Sequence, residues 1–134
     1  MLAENFIEDA LKDYSFYGND ILFNSGRPIK ECEQLRKVRA SFGMPNDEYI
    51  YIAVSANLFG GFTDNTKGFA IASRGLYFSV DGKCQRHLTF EELYDLDVRK
   101  TFSYLKIGGY EFNVGFPGKL ADLLIDVQLE YKTH

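Results

Sequence analysis

The chain reads as an α+β protein: two N-terminal helices, about seven short antiparallel strands in a bent sheet or partly open barrel, and a C-terminal plug helix. Three observations predict this. Apolar residues recur at helical spacing before residue 43 and after residue 117. Between those limits they alternate at strand spacing, and glycine-bearing turns separate the strands without any βαβ rhythm. With 134 residues, 46% of them hydrophobic, the chain is long enough for one well-filled core.

Leu2, Phe6, Ala10, Leu11 and Tyr14 form one helical stripe, and Gly18 is the first residue that favours a helix exit. Residues 19–26 read as a connection that tucks Ile21, Leu22 and Phe23 against the body. A second helix is predicted from near Pro28 to Gly43, with Ile29, Cys32, Leu35, Val38 and Phe42 as its apolar stripe. The segment 49–55 (YIYIAVS) is a dense apolar strand. Residues 69–72 and 76–80 follow as a hairpin about Arg74-Gly75, the stretch with the strongest local signal in the chain. Asp81-Gly82 turns the chain into a strand near 84–88, and Thr89 with Glu92 makes a capping box for a helical turn over 89–93. Segments 94–99, 102–107 and 110–116 alternate as three more strands. Leu120, Leu123, Leu124, Val127 and Tyr131 then mark the closing helix.

Charge and composition exclude several functions. A net charge of −4 opposes general nucleic-acid binding, which depends on neutralising phosphates. No apolar run approaches the roughly 18–20 residues that cross a bilayer. Residues 1–14 carry Glu4, Glu8, Asp9 and Asp13 instead of a basic leader, so a cytoplasmic location is expected. Cys32 and Cys84 lie far apart without metal-ligand spacing and read as reduced, buried thiols. No cofactor is implied.

In the middle of the chain Leu58-Phe59-Gly60, Gly68-Phe69-Ala70-Ile71, Gly75-Leu76-Tyr77 and the segment 88–93 (LTFEEL) occur in that order, after Pro45-Asn46-Asp47-Glu48. This resembles small bacterial pleckstrin-homology-like proteins, over residues 44–131. The resemblance implies a PH-like domain at 44–134 behind a helical extension at 1–43, and its motifs are mostly turn glycines and core apolars. Lipid-binding members hold inositol phosphates with several basic residues in the first strand–loop–strand. The matching loop here, residues 56–67, has one Lys, no Arg and an Asp, which argues against that ligand.

Candidate partner-binding residues fall in two places. Leu58, Phe59 and Phe62 on the glycine-rich loop read as anchors for a partner, against the alternative that Leu58 and Phe59 fold back to cap the barrel mouth. Arg36, Lys37 and Arg39, with Arg27 and Lys30, make the predicted second helix a local inversion of sign, read as a solvated face or a docking surface for an acidic partner. Cys84 and His87 are three apart, so on a strand they face opposite ways and make no nucleophile–base pair. Asp95, Asp97 and Arg99 read as a local ion pair. No catalytic or metal site is expected. The function expected is a non-enzymatic protein-interaction module of a bacterial cytoplasm. The alternatives are a small acidic immunity-type protein neutralising a toxin or nuclease, peripheral binding to anionic membrane through the basic helix, and homodimerisation through residues 1–17.

Overall fold

The computed structural model describes residues 3–57 and 60–133. In chain order the elements are α1 (Ala3–Leu11), β1 (Ile21–Phe23), α2 (Glu33–Phe42), β2 (Ile50–Ser55), β3 (Gly68–Ala72), β4 (Gly75–Ser79) and β5 (Arg86–Leu88). They continue with α3 (Phe90–Tyr94), β6 (Val98–Thr101), β7 (Tyr104–Ile107), β8 (Tyr110–Asn113) and α4 (Pro117–Thr133). All strand pairs are antiparallel. They form a five-stranded sheet in the order β1-β2-β3-β4-β5 and a three-stranded sheet in the order β6-β7-β8. Among the described residues no strand pairing joins the two sheets, so they do not close into a barrel.

The C-terminal helix lies where its stripe predicts. Leu120, Leu123, Leu124 and Val127 of α4 are fully buried in one core with Tyr51, Ile52, Phe69, Phe78, Leu105, Ile107 and Phe112 from both sheets. A second core lies on the other face of β2–β4, where Leu35, Val38 and Phe42 of α2 pack against Ala53, Ala70 and Tyr77. Sheet one is therefore covered on both faces, which explains why β2, β3 and β4 are buried along their whole length instead of alternating.

Several boundaries differ from the sequence expectation, each for a local reason. Helix α1 ends at Leu11, well before Gly18, where Tyr14 N–H closes onto the Leu11 carbonyl (3.1 Å). Gly26 then passes so close that a Cβ there would stand 3.2 Å from the Glu8 carbonyl oxygen. Residues 21–23 are a true edge strand, paired with β2, and not a connection. Helix α2 starts at Glu33 because Ile29 N–H is spent on the Ile50 carbonyl (2.8 Å), which holds residues 28–31 extended beside the sheet. The β3–β4 turn is Ser73-Arg74, and Gly75 is already in the strand. A Cβ at Gly75 would stand 2.1 Å from the Leu88 carbonyl oxygen of β5, so the glycine is needed for close strand approach. Segment 94–99 is not one strand: α3 takes Tyr94, and β6 begins only at Val98. Phe102, expected in a strand, sits in the β6–β7 turn.

The stripe offered as a dimer seam is covered within the chain. Phe6, Ala10 and Leu11 are buried, with Phe6 edge-on to Phe90 (4.9 Å) and Tyr131 (5.5 Å), while Leu2 lies outside the described residues. Both cysteines are free and exposed, not buried: Cys32 is the N-cap of α2 and Cys84 lies in the β4–β5 connection.

Candidate interaction surface

The predicted site residues do not come together. Phe62 is 8% exposed and belongs to the second core, so it folds back as a cap and is not a free anchor. Leu58 and Phe59 lie outside the described residues. On α2, Arg36 pairs with Glu33 (3.0 Å), while Arg39 pairs with Glu31 (3.0 Å) and donates to the Pro45 carbonyl (2.9 Å). Lys37 is half-buried and lines a small cleft with Gly18, Asn19, Gly61 and Phe62. Arg36 and Arg39 are thus each neutralised by a neighbour. Exposed ion pairs of this kind stabilise by under about 1 kcal/mol each, and they also reduce the charge a partner would meet.

His87 stacks flat on Tyr77 (4.1 Å between centroids), its Nε2 lies 2.9 Å from the Arg74 carbonyl oxygen, and Asp97 pairs with Arg99 as expected. The carboxylate of Glu48, fully buried, accepts from Ser73 Oγ (2.8 Å), Arg74 N–H (2.8 Å) and Tyr77 OH (3.1 Å), with the Arg74 guanidinium 3.2 Å away. Burial, then the Glu48 charge and hydrogen bond, push the Tyr77 phenol up to about 12. These contacts tie the β3–β4 turn and Tyr77 of β4 to the segment just before β2. This carboxylate is a structural clamp.

A groove of about 340 Å³ does combine features that suit binding. It is lined by Ala56, Asn57 and Lys67 at the base of the long β2–β3 loop, by Val80 after β4, and by Tyr104, Glu111, Phe112 and Asn113 of the β7–β8 hairpin. The loop base is fixed by Ala56 N–H on the Lys67 carbonyl (2.7 Å) and Lys67 N–H on Asn57 Oδ1 (3.2 Å). Its far side is held by Ser55 Oγ donating to the Gly61 carbonyl (2.7 Å) and Gly61 N–H on Asp20 Oδ1 (3.2 Å). Val80 and Tyr104 are exposed large apolar side chains on this rim.

Strand β8 is an edge. Val114 N–H donates to the Ser103 carbonyl (3.2 Å), and Leu105 stands opposite Phe112. By antiparallel alternation Tyr110 and Phe112 turn their backbone groups towards β7, and Glu111 and Asn113 turn theirs to the open side. The groove therefore presents a backbone edge beside apolar side chains.

The turn Thr101–Tyr104 next to it carries Phe102, fully exposed, with φ +47°. A two-residue hairpin with positive φ only at its first central position normally takes glycine there. A bulky residue held in that region costs on the order of 1 kcal/mol. Every other described phenylalanine is buried or half-buried. Sequence reasoning missed Phe102 by placing it in a strand, although Leu105 and Ile107 alternate inward from a start at Tyr104.

A larger cleft of about 450 Å³ separates α1 from α4, lined by Asp9, Asp13, Asp126 and Glu130 around Lys12, with Ala10, Tyr14 and Leu129. Tyr14 OH donates to Asp126, and burial together with that carboxylate holds the phenol well above its ordinary range. Comparison of the chain with protein-family models, with curated proteins and with solved structures finds no match in any of the three.

Proposed function

We propose that this chain is a non-enzymatic protein-interaction module on a pleckstrin-homology-like frame, binding its partner in the groove between the β2–β3 loop base and the open edge of β8. The observation that carries this reading is the coincidence of that backbone edge, at Glu111 and Asn113, with the exposed Val80 and Tyr104. An extended partner segment gains main-chain hydrogen bonds from such an edge and apolar contact from its flanks. The two antiparallel sheets, the C-terminal helix packed into their shared core and the glycine-rich motifs of the sequence support the PH-like frame.

The acidic α1–α4 cleft favours a second reading, a neutraliser of a basic protein. Ion pairing of Arg36 and Arg39 leaves little support for membrane binding through α2.

The test is capture from a lysate of source cells at physiological salt, with Val80→Asp and Tyr104→Ala beside wild type. Both substitutions lie on the surface and are expected to shift melting by no more than about 0.5 kcal/mol. A protein retained by wild type and lost by both variants supports the groove. Retention that is lost instead in Asp13→Lys moves the site to the α1–α4 cleft.

A further inference from the structure

We propose that the β6–β7 hairpin tip is a contact point for an anionic membrane surface, with Phe102 as the inserting side chain. This does not rest on the protein-binding groove. Phe102 stands out from the body at the first position of a two-residue turn, fully exposed and at positive φ, where no packing within the chain explains an aromatic ring. It is a convex tip and not a pocket, the shape that enters a yielding surface.

Beside it, the charge left outside ion pairs is positive. The side chain of Lys100, two residues before the tip, lies against Gly118 at the start of α4. The next residue, Lys119, holds its ammonium 4.8 Å from the Phe16 ring and 6.0 Å from the Phe116 ring and donates to the Ser15 carbonyl. Phe116 in turn meets the exposed Tyr17 edge-on at 5.4 Å. Arg99 and Lys106 are paired with Asp97 and Glu111, and among the described residues Lys100 and Lys119 form no ion pair. The nearest acid on α4 is Asp122, three residues beyond Lys119. An exposed aromatic tip, two lysines outside any described ion pair and an exposed tyrosine against Phe116 match the interfacial zone of an anionic bilayer. There rings sit at the headgroups and lysines meet lipid charge.

The chain contains no tryptophan, so Phe102→Trp places a single reporter at the tip. The full chain carrying it is mixed with vesicles of equal parts phosphatidylcholine and phosphatidylglycerol, and separately with phosphatidylcholine alone. A blue shift of the emission is expected with the anionic vesicles only, reversed by high salt. Adding Lys100→Glu is expected to weaken partitioning about tenfold, and Lys100→Arg to leave it unchanged. Because tryptophan itself favours interfaces, unlabelled wild type and Phe102→Ser are compared by co-sedimentation with the same vesicles. Wild type is expected in the pellet and the variant in the supernatant, with equal melting temperatures. No blue shift with either vesicle, or equal sedimentation of wild type and Phe102→Ser, overturns the assignment. If membranes fail and Phe102→Ser instead loses a protein captured by wild type, the tip belongs to a protein interface.

Discussion

Single residues show where folding and binding pull apart. Phe102 exposes a whole ring and strains its backbone, so Phe102→Gly is expected to raise stability by up to about 1 kcal/mol in thermal unfolding. A loss of more than that would show the ring to be packed. Glu48 is the opposite case, a buried carboxylate whose removal leaves Tyr77 OH and the turn amides unsatisfied. Glu48→Ala is therefore expected to cost about 2–3 kcal/mol by chemical denaturation. The Tyr77 phenol holds its proton more tightly in the folded state than at its ordinary value of 10.0. Its contribution is accordingly intact below pH 10.0 and lost as pH rises from there towards about 12. Tyr14, shifted the same way, adds to that alkaline loss, so unfolding measured against pH should flatten in the double variant Tyr14→Phe/Tyr77→Phe.

Elements were legible where one pattern dominated. The run Leu120–Val127, the capping box at Thr89 and Glu92, and the alternation at 102–107 each mark an element that exists, the last from Tyr104 onward, because each is a local consequence of which face meets the core. The capping box is complete, with Thr89 Oγ accepting from Glu92 N–H (3.1 Å) and Glu92 Oε1 from Thr89 N–H (2.9 Å). What could not be read depended on distant partners. Strand β1 is three residues long and exists only because β2 offers an edge, and α2 loses its first turn to a bond between Ile29 and Ile50. Phe62 reads as a loop aromatic, yet it is buried in the core that α2 covers. Two substitutions test these packings by melting. Leu124→Asp puts an unpaired charge into the main core and is expected to leave no folded protein, whereas Phe62→Ser should cost about 3 kcal/mol. Near-normal melting of the first would refute the role of α4 as the shared core helix.

At the scale of the molecule, α2 covers one face of the larger sheet and α4 buries its stripe in a core shared with both sheets. Helix α1 spends its apolar stripe on α4 and α3, which is why an amphipathic N-terminal helix does not imply a second copy of the chain. The α+β class and the succession of strands into a closing helix were legible from sequence because they follow from period alone. The working surface was not, since residue type alone suggested the candidates while the groove is assembled from the loop base at 56, 57 and 67, from residue 80 and from the β7–β8 hairpin. The outward amides of Glu111 and Asn113 give that surface a direct readout in hydrogen exchange, taken on the free chain and on its complex with the captured protein. In the free chain these two amides should exchange quickly, and in the complex they should slow together with those flanking Val80. Unchanged exchange at Glu111 and Asn113, with slowing confined to α1 and α4, would contradict the groove and move the interaction to the acidic face.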